Sequence, residues 1–475
     1  MSARYITTTL PYVNADPHIG FALEIVQADV LARSWRLGGD EVFFSTGADE
    51  HGQKIYDAAK KKEQEPQEYV DHYAAEVQKL KQALNLDTDT FIRTTNPVHI
   101  ETAQEMWRRC EAKGDIYKKA YTGLYCVGCE SFKTEKELVD GKCPLHPNLT
   151  LEKISEENYF FRFSNYQEKL LNYLEKSGTL IPEWRRLEAI RFVKEGLEDF
   201  SISREKSRLS WGIPVPNDDS QVMYVWFDAL TNYISTLGWP EDTKGNFKKF
   251  WEEGVTLQVA GKDQVRFQSL MWQAMLMSAD IKTTDTVFYH GFITSGGQKM
   301  SKSLGNVISP FELVKKYGTD ATRYMLLRHV HPTEDSDVTW ERLDEWYTAN
   351  LTNGLGNLVA RVTKLSETHL SVSGINPRKD FEELDQFNFQ SAMDGIWARI
   401  QKLDQKITET EPFKIIKSDP ERGKQIIGDL RTELFFIAHT LKAYMPETSE
   451  TIKKAVLENK KPENLFPRLP AQTGI

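Results

Sequence analysis

Cysteine is scarce, with four residues in a chain of 475, and no stretch reaches the roughly 20 consecutive apolar residues that a bilayer-spanning helix needs. The first scarcity excludes a disulfide framework and the second excludes a membrane-spanning protein. The opening segment Met1 to Thr7 has one early positive charge but lacks an apolar core followed by a small-residue cleavage site, so a cytosolic chain is expected. Positive charge is not in excess. The net charge of −9 weighs against sequence-independent coating of DNA, yet it leaves open a folded RNA read through local basic and aromatic surfaces. No repeat or low-complexity tract is present. What is present is a mixed composition, 40% hydrophobic and 27% charged, over a length that exceeds one hydrophobic core, so a soluble enzyme of two to four domains is expected.

Tyr5 to Leu10 is a β-branched and aromatic run that predicts a strand, and Asp16-Pro17 follows as an N-cap and first helical position. Leu23, Val26, Val30 and Leu37 then recur at helical spacing until Gly38-Gly39 stops the pattern, and Val42 to Thr46 predicts a second strand. The alternation returns with a strand at Val255 to Val259, a helix at Phe267 to Met277 and a strand at Val287 to Tyr289. The reading is an α/β fold, a Rossmann-like nucleotide-binding sheet split by an insertion. Residues 1–115 and 221–294 are its halves, 116–220 is the insertion, and 295–345 is a loop-bearing connector. Beyond Trp340 only long amphipathic patterns remain, at Trp346 to Leu365, Phe389 to Ile407 and Ile426 to Tyr444, so 346–475 is expected to be a helical bundle.

Three of the four cysteines crowd into the insertion. Cys126-Val127-Gly128-Cys129 and Cys143-Pro144-Leu145-His146 form a CxxC and CxxH set that suits one tetrahedral zinc ion, and four protein ligands leave no open position, so a structural role is expected. Cys110, on a charged helix, is assigned nothing. Two further stretches suit phosphate. His18-Ile19-Gly20-Phe21 lies on a strand-to-helix turn, where backbone N–H groups attract anions and an imidazole adds a donor. Gly296-Gly297-Gln298-Lys299-Met300-Ser301-Lys302-Ser303 places two lysines behind a flexible glycine pair, and lysine charge aimed at a leaving phosphate stabilises the transition state more than the ground state. Lys302 is the principal candidate.

On these two stretches the chain resembles the class I aminoacyl-tRNA synthetases, whose signatures read HIGH and KMSKS. The second is intact, and the first departs at Phe21, where the family has a histidine. The single zinc knuckle resembles that in the connective insertion of methionyl-tRNA synthetases, and no room exists for the large editing insertion of the leucine, isoleucine and valine enzymes. Three segments carry the likeness further. Thr9-Leu10-Pro11-Tyr12 leaves the first strand at the edge where ligands of open α/β folds lie, with Tyr12 as a pocket wall. Asp49, in Gly47 to Gly52, is suited to hold a substrate ammonium by a charge-assisted hydrogen bond. Trp226, Ala229, Leu230 and Tyr233, in and beyond Tyr224 to Leu230, offer surface for a thioether.

The resemblance implies an enzyme that activates L-methionine with ATP and magnesium and transfers it to tRNA(Met). It implies His18, Lys299 and Lys302 as catalytic residues, and ATP contacts from Gly20, Phe21, Gly261, Asp263, His290, Met300, Ser301 and Ser303. Gln264 and Gln268 stand where the family has an aliphatic residue and a pocket histidine, on one helical face at i, i+4 spacing. Either the pocket rearranges while keeping methionine, or its preference has drifted. Asn357, Arg361 and Phe413 fall where the family reads the anticodon, with phenylalanine in place of tryptophan. A cysteinyl-tRNA synthetase and a weakly catalytic tRNA-binding paralogue are the rival readings. A monomer is expected.

Overall fold

The computed structural model describes residues 2–128, 131–133, 135–144, 146–300, 305–371 and 387–470. They form two compact units. The first holds residues up to Pro17, Asp40–Lys79 and Thr88–His290, and the second holds His18–Gly39, Leu80–Asp87 and the chain from Gly291 onward.

The first unit is built on six parallel strands: β1 (Ala3–Thr8), β2 (Glu41–Ala48), β3 (Thr90–Arg93), and, after the insertion, β7 (Leu180–Ile181), β12 (Val255–Gly261) and β13 (Thr286–His290), in the order β3-β2-β1-β12-β13-β7. The central strands are buried almost without interruption, β12 from Thr256 and β13 from Val287, as expected for strands covered on both faces. Their core is aromatic. Tyr5 meets Trp251 at 5.9 Å, Trp251 meets Trp272 at 6.1 Å, and Trp107 meets Phe227 at 5.5 Å between ring centroids. Each such side chain, fully withdrawn from water, contributes of the order of 2–3 kcal/mol.

The insertion opens as an antiparallel sheet in which β4 (Ile116–Cys126) pairs with β5 (Ser131–Lys133) and, over ten residues, with β6 (Glu152–Phe161); β8 (Phe200–Ser201) is its far edge. One part of 116–220 departs from the expected separate insertion. β7 lies in the central sheet against β13, so the chain returns to the nucleotide-binding core midway. A two-residue strand is too short to carry a periodic signal, and only its pairing reveals it.

In the second unit the helix Ile19–Gly38 ends as expected, with Gly39 in the left-handed region at φ 94°. Its start differs from the expected Asp16-Pro17. His18 is the N-cap, at φ −112° and ψ 168°, and its Nδ1 accepts from Gly20 N at 3.1 Å, taking the place that Asp16 would have filled. Downstream lie helices Pro310–Tyr317 and Thr319–Arg328, a continuous helical run from Trp340 to His369, and helices Phe389–Thr410, Pro412–Ser418, Pro420–Leu441 and Pro446–Leu457. Three short strands precede the long run: β14 (Ile293–Ser295), β15 (Gln298–Lys299) and β16 (Ser336–Asp337). Among the described residues no helix is long and apolar enough to cross a membrane.

Candidate active site and metal centre

In the first unit β1 and β12 are sheet neighbours, while β2 flanks β1 on one side and β13 flanks β12 on the other. Ligands of open parallel sheets sit beyond the carboxyl ends of the strands at such a switch point. The candidate residues gather there. Thr9 N donates to Val259 O at 3.2 Å, and Asp49 N donates to Pro11 O at 3.0 Å while Val13 N donates to Asp49 O at 3.1 Å, so Tyr12 and Asp49 face each other across extended backbone. Asp49 is buried. At the end of β12, a methyl group on Gly261 would lie 2.8 Å from Asp263 Oδ1 and 3.7 Å from His290 Nε2. A larger residue there would have to displace the Asp263 carboxylate.

Trp226 stacks on Phe267 at 3.9 Å with an interplanar angle of 14°, and the Tyr233 hydroxyl donates to Gln268 Oε1 at 3.0 Å. Ala229 and Leu230 are buried, Leu230 within the apolar core. Gln264 and Gln268 meet different partners. Gln264 ends a short 3₁₀ turn and donates to Asp263 Oδ2 at 3.1 Å, whereas Gln268 begins a wider helical turn and is buried against Tyr233.

Several residues that the sequence reading missed are joined to the segment that follows Asp49. Asp228 is wholly buried and takes His51 Nδ1 at 2.7 Å on one oxygen and His99 Nε2 at 2.8 Å on the other. Burial by itself raises the Asp228 carboxyl, but the charge and hydrogen bonds of His51 and His99 outweigh it and hold the group below the ordinary aspartate value. Glu50 pairs with Arg93 at 2.5 Å, and its carbonyl accepts from Trp211 Nε1 at 2.6 Å. A usable signal existed in the lone carboxylate inside the apolar run Tyr224 to Leu230.

In the second unit, Ile19 N donates to Ile308 O at 3.0 Å, which joins the His18 turn to the segment that follows the lysine-serine loop. His18 Nδ1 is occupied by Gly20 N, so the neutral ring carries its proton on Nε2, a donor on an exposed side chain. A Cβ on Gly20 would meet the His18 ring at 2.9 Å. Phe21 is buried. The glycine pair forms a tight two-residue hairpin between β14 and β15, with Gly296 at φ 64° and Gly297 at φ 72°, where a flexible lead was expected. Gly297 N donates to Asp337 Oδ1 at 2.7 Å. Lys299 is exposed on β15 and Met300 follows it, while Ser301, Lys302 and Ser303 lie outside the described residues.

Cys126 Sγ and Cys143 Sγ lie 3.8 and 3.9 Å from His146 Nδ1, and all three ligand atoms fall within 4.8 Å of one another. Ligands of a tetrahedral zinc ion, bound at about 2.0–2.3 Å, stand roughly 3.6 Å apart, so the set fits such an ion. Cys129 lies outside the described residues. Cys110, buried in the core, has its thiol pushed up to about 12 by that burial, as befits an unreactive residue.

On the helical bundle, Arg361, Lys364, Phe413 and Lys461 line a surface cavity of about 350 Å³ with Ala360, Leu365 and Ile407. Phe413 is 42% exposed. Asn357 is exposed one turn before Arg361 and does not line the cavity. Lys364 and Lys461 had gone unnoticed in the sequence, since single lysines on polar helices carry no pattern.

These features define a class I aminoacyl-tRNA synthetase: residues 4–148 and 148–363 match the family model described as tRNA synthetases class I (M). The chain is 39% identical to the methionine–tRNA ligase of Caldanaerobacter subterraneus over 99% of its length and 80% of that protein's, and 40% identical to that of Rhizobium meliloti over 94% and 90%. Among solved structures, Mycobacterium tuberculosis methionyl-tRNA synthetase in complex with methionyl-adenylate superposes with a TM-score of 0.88 at 34% identity, covering 100% of this chain and 99% of that one. The chain belongs to the methionine–tRNA ligases, and its activity is the ligation of methionine to tRNA.

Proposed function

We propose that the chain activates L-methionine with ATP to methionyl-adenylate and then passes the methionyl group to the 2′-hydroxyl at the 3′ end of tRNA(Met). Support comes chiefly from the hydrogen bond between Ile19 and Ile308, which ties the two phosphate-directed stretches together. In the first step the methionine carboxylate attacks the α-phosphorus and pyrophosphate leaves. His18 Nε2–H, the helix N-terminus behind it, Lys299 and Lys302 stabilise charge on the phosphates, and the magnesium that accompanies ATP neutralises part of that charge. Gly261, Asp263 and His290 hold the adenosine, with Gly20, Met300, Ser301 and Ser303 completing the nucleotide site. Asp49 takes the ammonium, and Thr9, Leu10, Tyr12, Trp226, Ala229, Leu230, Tyr233 and Gln268 enclose the side chain. Catalysis is then positioning and electrostatics without a covalent enzyme intermediate.

Residues 1–115 and 221–294 serve as the halves of the catalytic domain, 116–220 as the connective insertion, 295–345 as the loop and stem-contact region and 346–475 as the anticodon-binding domain. Cys126, Cys129, Cys143 and His146 would hold one structural zinc ion, which stiffens the knuckle. Asn357, Arg361 and Phe413 would meet the anticodon. We read the protein as a cytoplasmic monomer. Methionine-dependent ATP–pyrophosphate exchange tests the assignment, with Asp49→Asn expected to raise KM for methionine at least tenfold and leave KM for ATP within twofold. Exchange driven by cysteine, or no exchange at all, would overturn it.

A further inference from the structure

The segment Asp49-Glu50-His51 is tied at every residue. Asp49 is held by backbone hydrogen bonds to Pro11 and Val13, Glu50 N donates to Thr94 Oγ1 at 2.9 Å, and the Glu50 carboxylate is met by Arg93 and Thr95. His51 completes the set through Asp228, which lies 177 positions later in the chain. The last of these ties ends on a carboxylate that is wholly buried. Asp228 and His99 are each 0% exposed and His51 is 5% exposed.

A carboxylate so placed is tolerated only when its lone pairs are met by donors. Because an ionised Asp228 can only accept, His51 carries its proton on Nδ1 and His99 on Nε2. His99 Nδ1 is then the acceptor facing Ser235 Oγ at 2.9 Å, which fixes the second ring from its far side. The chain Ser235–His99–Asp228–His51 thus crosses from the helix Asn232–Ser235 through the helix Pro97–Ala112 and the helix Val225–Leu230 to the end of β2. His51 also sits 5.4 Å from the Trp211 ring, which limits its rotation. None of these four side chains is among the residues assigned to ATP, to methionine or to metal.

We propose that Asp228 is a positioning residue for the amino-acid substrate: through His51 it holds the backbone at Asp49 so that the Asp49 carboxylate meets the substrate ammonium. The proposal rests on the reading of Asp49 as the ammonium ligand. It requires that loss of the Asp228 charge be felt by ligands that carry an ammonium and not by those that lack one. A relay that served only to hold the fold together would weaken every amino-acid ligand alike.

The test compares two competitive inhibitors in ATP–pyrophosphate exchange. Methioninol keeps the ammonium and lacks the carboxylate, and 4-(methylthio)butanoate keeps the carboxylate and lacks the ammonium. For Asp228→Asn, the expected result is a rise of about tenfold in the inhibition constant of methioninol and in KM for methionine, with 4-(methylthio)butanoate and KM for ATP moving less than twofold. His51→Leu should reproduce this pattern, and His51→Asn, whose amide can donate as Nδ1 does, should restore most of it; these variants decide the matter if Asp228→Asn does not fold. Equal weakening of both inhibitors, or of neither, overturns the proposal. Asp49→Asn separates the two layers. If it weakens methioninol alone while the Asp228 and His51 variants do not, only the positioning role falls; if it weakens both inhibitors alike, the ammonium reading falls and the proposal with it.

Discussion

The Arg323 guanidinium meets Asp29 at 2.7 Å with both side chains wholly withdrawn from solvent. Arg323 also donates to three carbonyls, of Tyr444 at 2.8 Å, Leu84 at 3.0 Å and Ala443 at 3.1 Å, while Asp29 further accepts from Asp87 N at 2.6 Å and Arg33 Nε at 2.7 Å. The planar fork is matched to several acceptors at once, which an ammonium cannot reproduce. This single side chain links the helix that begins at His18, the helix Thr319–Arg328 and the turn before Pro446 within the second unit.

Removing it takes from Asp29 its one fully buried charge partner and leaves the Arg33 guanidinium and the Asp87 N–H to meet the carboxylate. Arg323→Ala should lower the unfolding free energy of the second unit by about 3–5 kcal/mol, and Arg323→Lys should recover less than half of that. Urea denaturation followed by circular dichroism measures both, and a loss below about 1 kcal/mol for the alanine variant contradicts the role given to the pair.

The candidate metal site depends on a glycine that is not a ligand. A Cβ on Gly128 would lie 2.4 Å from Cγ of the His146 ring, so Gly128→Ala must push that ring off the cluster of sulfurs. Metal analysis of the purified protein should show about one zinc per chain in the parent and well under half of that in Gly128→Ala and Cys143→Ser. Full zinc content in the glycine variant would show that the histidine is not needed for binding.

His329 supplies a pH dependence. Burial first, and then the charge of Arg328, lower its pKa to about 4, while its ring stacks on Trp346 at 4.5 Å and meets the Tyr324 hydroxyl at 3.0 Å. In the unfolded chain the same ring titrates near pH 6.5, so between about pH 6.5 and 4 the unfolded state binds a proton that the folded state refuses. Stability is therefore full above that window and falls as the pH drops through it, by roughly 1–3 kcal/mol at the lower end. Unfolding curves at pH 7 and pH 4.5 should show a smaller difference for His329→Phe than for the parent; an equal difference assigns the effect to other groups.

The cavity on the helical bundle separates stacking from charge. Phe413→Ala should weaken tRNA binding by about 1–3 kcal/mol if one base stacks there. Lys461→Ala should weaken it less and reduce the salt dependence of binding by about one counterion. Methionine-dependent pyrophosphate exchange, which needs no tRNA, should be unchanged in both. Filter binding at two salt concentrations reads all of this, and an effect on exchange would place the cavity outside tRNA recognition.

How much of the molecule could be read before folding differs from element to element. The strands around Tyr5, Phe43, Leu257 and Phe288 and the helical stretches Trp346 to Leu365, Phe389 to Ile407 and Ile426 to Tyr444 were legible because burial imposes its period directly on the residues. Tyr12, Asp49 and Gly261 were legible as members of short motifs, and Cys126, Cys143 and His146 through ligand chemistry. The start of the helix at Ile19 was misplaced because Asp16 is a better cap by composition, yet His18 has the geometry. β7 and the hairpin at Gly296-Gly297 were missed because two residues carry no periodicity.

The amino-acid order alone determined which of the longer segments are strands and helices, which residues have the chemistry for phosphate, ammonium and metal, and to which family they point. Those are properties of short stretches, fixed by side-chain type and spacing. Only the tertiary structure decided that Ile19 bonds to Ile308, that Asp228 stands between His51 and His99, and that Gln264 and Gln268 face different partners. Most such pairings join residues far apart in the chain, and they are selected by the packing and hydrogen-bond satisfaction of the whole fold.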